Sequence, residues 1–282
     1  RIYFEAYEGA VFMHQGLTYI CQSVQHDMRV VYLARSQVQY HTRPRDVTDI
    51  DPCEVWRMRT LKHNDMYAYY GRVDVIFHVW GYFKVDRRAN ILDAVDIDVE
   101  PLVRPTHGVW IDVPWHIVEE LTEHDILASA AIHAAEHAIL NLTSLFVASS
   151  ADDVRTECKI ALREFSGRKT QRTRPSRLIF YDKPGQNAGV CTQVFEHLTS
   201  LVQMALKEME LCECTDGCPE CIEAPTCQHG NQVSSKQGAM AILRGLLHRP
   251  LFVKGDTLTK RHGDPEVLSH TLCAPEPVPQ RK

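Results

Sequence analysis

Five of the ten cysteines fall between Cys212 and Cys227. Four of them, Cys212, Cys214, Cys218 and Cys221, have the spacing C-x-C-x3-C-x2-C, tight enough to close around one tetrahedral ion. Zinc suits four thiolates because it is borderline-soft and accepts a closed tetrahedral shell. Gly217 provides a residue free to take positive φ and Pro219 one with φ already fixed, as short turns between ligands require. Cys227 is a fifth thiol and a candidate substitute ligand. A disulfide knot is the alternative chemistry and would suit a secreted chain. The remaining five cysteines are scattered through apolar context, no signal-peptide pattern opens the sequence, and a Cys-x-Cys pair is too short to bridge itself without strain.

A second constellation is His133-Ala-Ala-Glu136-His137, which matches the inverted zincin pattern H-x-x-E-H. On a helix both histidines share one face with Glu136 beside them. A metallopeptidase would use the histidines as ligands and Glu136 as base, with a third ligand drawn from Glu196, Glu208 or Glu210. The competing reading is an alanine-rich packing helix with hydrogen-bonded histidines. A third feature is basic. Arg155, Lys159, Arg163, Arg168, Lys169, Arg172, Arg174 and Arg177 stand against Glu157 and Glu164, a local balance of +6. Arg168, Lys169, Arg172 and Arg174, in a loop with Ser and Thr, are the candidate phosphate contacts for single-stranded DNA. The alternative is a solvated loop that offsets the acidic remainder.

These residues need elements to position them. The sequence predicts an α+β chain, with a β-rich N-terminal subdomain (a small barrel or curled sheet) followed by a helix-rich subdomain that bears the four-cysteine zinc site. The expected boundaries are 1–114 for the β-rich part, 115–250 for the helical zinc-binding domain and 251–282 for a loose tail. Strands are expected at 11–13 and 17–21 as a hairpin, and at 28–34, 37–41, 66–85, 95–103, 109–113 and 178–181. Helices are expected at 115–121, from an Asp125 cap to about Val147, at 190–209, and from a Ser234 cap to Leu247. Tyr67, Tyr69, Tyr70, Trp80, Tyr82 and Phe83 are either core or a base-stacking platform.

Composition excludes several classes. At 282 residues, 44% hydrophobic and 24% charged, the chain has ordinary globular content, and no apolar run approaches a membrane span. A formal net charge of -5 gives no global attraction to nucleic acid, so any such contact must be local. No Gly-x-x-x-x-Gly-Lys-Ser/Thr loop is present, so these residues cannot hydrolyse ATP by a P-loop mechanism. The chain starts at Arg1 inside a patterned segment and reads as a piece of a longer protein.

Several collinear motifs carry a family resemblance. Tyr7-Glu8-Gly9-Ala10-Val11-Phe12-Met13-His14-Gln15-Gly16, His133 to Ala138, Arg177 to Asp182, the four-cysteine block, Asn231 and Ser235-Lys236 occur in this order. Over about residues 3–248 the chain resembles the C-terminal region of mitomycin repair factor A-type helicases and their RecQ-four-like fungal and plant relatives. The resemblance implies a superfamily 2 motor upstream of Arg1 that moves three-prime to five-prime on single-stranded DNA. It also implies a role in nuclear DNA repair, an accessory role for this chain, and HxxEH as a fold signature. Residues 185–189 depart from the family's Gly-Gly-x-Gly. The rival to DNA contact is a docking domain that clamps the motor.

Overall fold

The computed structural model describes residues 2–61, 66–150, 152–159, 175–185 and 189–253. The chain is α+β, with its β-rich part first. The described residues form two compact units. One holds those up to Asp51 together with Val75–Arg104; the other holds Pro52–Asp74 and those from Pro105 onward. Two long strands, β4 (Tyr40–Thr60) and β5 (Tyr67–Asp86), run through both. Pro114, the expected boundary, is where the chain leaves a strand for a helix within the second unit.

In the first unit, after a helical turn α1 (Ile2–Glu5), β1 (Val11–His14), β2 (Leu17–Gln25) and β3 (Val30–Ser36) make an antiparallel sheet in that order. The β1–β2 turn uses Gln15 and Gly16 at φ 47° and 75°, the paired positive values whose twist matches a two-residue hairpin. β6 (Ile91–Asp96) pairs with the later half of β5. The strand expected at 95–103 is therefore two: β6 ends at Asp96 and β7 begins at Leu102. Pro101, which has no N–H to donate, lies in the gap. Tyr3, Tyr7, Ala10, Cys21, Val79 and Tyr82 form this unit's core.

In the second unit the sheet order is β4-β5-β7-β9-β8, with β7 at Leu102–Asp112, β8 at Val154–Thr156 and β9 at Arg177–Asp182. The order is open rather than closed into a barrel. β4 stands at one edge, which is why a strand 21 residues long tolerates Pro44 and Pro52. Those prolines mask most of it in the sequence, where the expected strand ends at His41. β9 is buried on both faces, with Leu178, Ile179 and Phe180 at most 1% exposed, and reads accordingly as an unbroken apolar run.

Of the helices α2 (Trp115–Glu123), α3 (Ala128–Phe146), α4 (Val190–Leu211) and α5 (Lys236–Leu246), α3 and α4 pack on this sheet, and α2 and α5 pack on α3. Asp125 is not the cap of α3. It has φ 58° and its N–H bonds to the Thr122 carbonyl, so it closes the end of α2, and α3 starts behind Leu127. Ser235 rather than Ser234 caps α5, its Oγ accepting the Gly238 N–H at 3.1 Å. α3 and α5 cross closely because both present small residues. A Cβ on Gly238 would lie 2.5 Å from the Ala131 Cβ. That approach brings the segment ahead of α5 against the His133 face of α3.

Candidate metal centre

α4 ends at Leu211, and Cys212 is its C-cap. The chain then folds back so that Cys212, Cys214, Cys218 and Cys221 place their sulfurs in one group. Sγ–Sγ separations are 3.4 Å for Cys212–Cys214, 3.6 Å for Cys212–Cys218, 3.4 Å for Cys214–Cys221 and 3.7 Å for Cys218–Cys221. A regular tetrahedron with Zn–S bonds of about 2.3 Å has edges of about 3.8 Å, so the donor set fits zinc. The turn is tight because the Cys218 carbonyl accepts three N–H groups, from Cys221, Ile222 and Glu223, each at 3.1 Å. Gly217 supplies the positive φ (126°) that this turn needs.

Electrostatics point the same way. The backbone N–H of Cys214 holds the Cys212 thiol down to about 7, whereas burial pushes Cys218 and Cys221 up. Four thiolates this close repel one another unless a cation stands between them. Lys236 supplies a second positive charge. The residue is 6% exposed, and its ammonium donates to the carbonyls of Cys212 and Cys214 at 2.6 Å each and to Cys214 Sγ at 3.3 Å. Four thiolates on one divalent ion leave a net charge near −2, and a buried lysine offsets half of it. In the sequence this lysine stands out only as part of the Ser235-Lys236 motif. The signal that finds it is a lysine opening a helix, where the helix dipole disfavours a cation and some other charge must hold it.

Asn231, at φ 59°, closes the loop after the cage. Its Oδ1 accepts the Ala224 N–H at 3.0 Å and its Nδ2 donates to the Ala224 carbonyl at 3.3 Å. Cys227, inside that loop, is not among the four sulfurs. It lies beside α3, its Sγ 3.8 Å from His133 Nε2.

The H-x-x-E-H helix is buried: His133, Glu136 and His137 are at most 1% exposed. Glu136 does not serve as a peptidase base. Its Oε1 accepts the backbone N–H of Ile179 at 2.8 Å and so ties α3 to β9, and burial raises its carboxyl to about 8. The candidate third ligands are engaged elsewhere or not drawn in. Glu196 pairs with Arg57 at 2.6 Å, Glu210 bonds to Arg244 at 3.1 Å, and neither these nor Glu208 lies in a metal-competent group.

Arg168, Lys169, Arg172 and Arg174 lie outside the described residues, as does Arg163. Of the rest of the basic stretch, Arg155 pairs with Asp152 at 2.7 Å, Lys159 with Glu157 at 3.0 Å and Arg177 with Asp112 at 2.9 Å. The β-region aromatics divide. Tyr70 and Tyr82 are core, Tyr69 stacks on Trp110 at 5.8 Å, and Trp80 is 39% exposed with the Arg45 guanidinium 3.7 Å above its ring.

Comparison with known proteins agrees with this geometry. Residues 135–222 match the family described as the MrfA Zn-binding domain. The ATP-dependent helicase hrq1 of Schizosaccharomyces pombe is 41% identical over 254 residues, which cover 88% of this chain and 24% of that protein. The ATP-dependent helicase HRQ1 of Saccharomyces cerevisiae is 37% identical over 249 residues, 88% of this chain and 23% of that protein. The chain thus spans about a quarter of the length of these relatives. A crystal structure of the DUF1998 helicase MrfA bound to DNA shares the fold, with a TM-score of 0.59 at 17% identity over 87% of this chain and 31% of the other. Zinc is the cofactor that the matched domain and the four-sulfur cage have in common. Residues 135–222 thus match a zinc-binding domain of the MrfA type, and the chain is similar to a region of two ATP-dependent helicases.

Proposed function

We propose that this chain is the accessory C-terminal module of an ATP-dependent DNA helicase that moves three-prime to five-prime and serves DNA repair in the nucleus. Cys212, Cys214, Cys218 and Cys221 hold its zinc. Arg168, Lys169, Arg172 and Arg174 contact single-stranded DNA, and the motor domains lie elsewhere in the same protein. The observation that carries this reading is likeness to two ATP-dependent helicases over 88% of the chain, with a four-sulfur cage inside the matched zinc-binding domain.

Zinc bound in the cage supplies no reaction chemistry. Held by the four sulfurs, it would close residues 212–221 behind α4, and Lys236 at the start of α5 bonds to the carbonyls of that closed turn. Asn231 closes the loop after the cage. The protein's own contribution to DNA contact is charge. Each phosphate neutralised by a basic side chain releases counterions, so affinity falls steeply with salt.

The test is titration of a labelled single-stranded oligonucleotide with the purified chain across a range of salt concentrations. The reading expects strong salt dependence. Changing the four basic residues to alanine should reduce the log–log slope by roughly 3, at about 0.7 per lost phosphate contact. Salt-insensitive binding, or an unchanged slope in the variant, contradicts the DNA contact. No DNA affinity combined with tight binding to the motor domains favours a docking role instead.

A further inference from the structure

The fold assembles a second set of donors, separate from the cage, from three parts of the chain distant in sequence. His133 and His137 lie one turn apart on α3, with ring centroids 4.0 Å apart. Cys158 follows β8, and Cys227 sits in the loop that Asn231 closes. One ligand atom from each of these four residues lies within 4.8 Å of all the others.

Three of the four donors are prepared in a way that packing alone does not require. The Val233 carbonyl is 2.6 Å from His133 Nδ1, which places the proton on Nδ1 and leaves the Nε2 lone pair directed toward Cys227 Sγ, 3.8 Å away. Bonds of about 2.05 Å to nitrogen and 2.3 Å to sulfur give a tetrahedral N–S edge of about 3.6 Å, close to that separation. Cys227 Sγ also accepts the Asn231 N–H at 3.3 Å, a contact that favours the thiolate. His137 is 1% exposed, and neither ring nitrogen has a hydrogen-bond partner. A buried imidazole left in that state is costly, whereas a metal ion would satisfy it.

We propose that His133, His137, Cys158 and Cys227 form a second, closed metal site that takes one zinc ion. Two neutral imidazoles and two thiolates cancel the charge of a divalent ion. The cage, with four thiolates, needs Lys236. Two nitrogens and two sulfurs in a tetrahedral group match zinc better than hard cations, which prefer oxygen and higher coordination. Four protein ligands leave no position for a substrate or a reactive water, and Glu136 is turned away to β9. The second ion is therefore structural. It fastens α3 to the segment after β8 and to the loop beyond the cage.

The purified chain, washed with a weak chelator, would be analysed for zinc content and for zinc coordination by X-ray absorption. Two zinc ions per chain, with nitrogen as well as sulfur in the average shell, is the expected result. One zinc in an all-sulfur shell, or any shell without nitrogen, overturns the proposal, as does a Cys158–Cys227 disulfide in the zinc-loaded protein. Variants separate this site from the cage. His137→Gln should lose one of the two ions and leave an all-sulfur shell, and Cys214→Ser should remove the other and leave a mixed one. A His137→Gln protein that keeps two ions and an unchanged spectrum also overturns it. If that variant fails to fold, the wild-type spectrum still decides.

Discussion

The cysteine cage and the histidine–cysteine cluster are built in opposite ways. All four sulfurs of the cage come from ten consecutive residues, so chain entropy opposes its closure only weakly and the spacing announces it. The other cluster collects residues 133, 137, 158 and 227, and its donors meet only after α3, β8 and the loop ahead of α5 have packed. The first can organise the structure around it; the second can form only when that structure exists. Their electrostatics differ to match. The cage carries excess negative charge and recruits Lys236, while the histidine–cysteine set is neutral around a divalent ion and sits on a fully buried helix face.

The largest effect should come from breaking the cage. Cys221→Ser removes a ligand that is itself 4% exposed, and structural zinc contributes on the order of 10 kcal/mol, comparable to a whole domain's stability. The second unit should then lose cooperative melting in calorimetry; a variant that melts like the parent would place the cage outside the fold's energetics. Next is Lys236→Met, which keeps the stem but removes the charge. A roughly 10–100-fold loss of zinc affinity in competition with a chelator is expected, in line with other residues that support metal ligands. Unchanged affinity would mean that the lysine is only packed there.

Asn231→Ala acts on the loop between the clusters, where Asn231 bonds to Ala224 through its side chain and to Cys227 Sγ through its N–H. Its backbone contact survives the change and its side-chain bonds do not, so a loss of about 1–2 kcal/mol in denaturant unfolding is expected. The smallest effect should be Glu136→Gln. A glutamine oxygen can still accept the Ile179 N–H, and the carboxyl it replaces is already pushed up to about 8 by burial. A change under about 1 kcal/mol is expected. A large loss would show that the charge at this position matters.

What could be read from the sequence follows the same division. Contiguous ligands give a local pattern, so Cys212, Cys214, Cys218 and Cys221 were legible, as were the Val11–Cys21 hairpin and the buried run of β9. His133 and His137 were visible as a motif that left a peptidase and a packing helix both open, because H-x-x-E-H does not say where Glu136 points. Glu136 lies on the same helix yet is claimed by a strand more than forty residues away. Cys158 carried no signal at all, since its partners are brought to it by tertiary packing. β4 was missed for a related reason. Its prolines argue against a strand locally, and only its place at the edge of the sheet permits them.

The most direct test of the account is a crystal of this chain measured on both sides of the zinc absorption edge. Two anomalous peaks are predicted, one among Cys212, Cys214, Cys218 and Cys221 and one among His133, His137, Cys158 and Cys227. A single peak at the cage would confine metal binding to the local motif, and no peak at the cage would contradict the central claim.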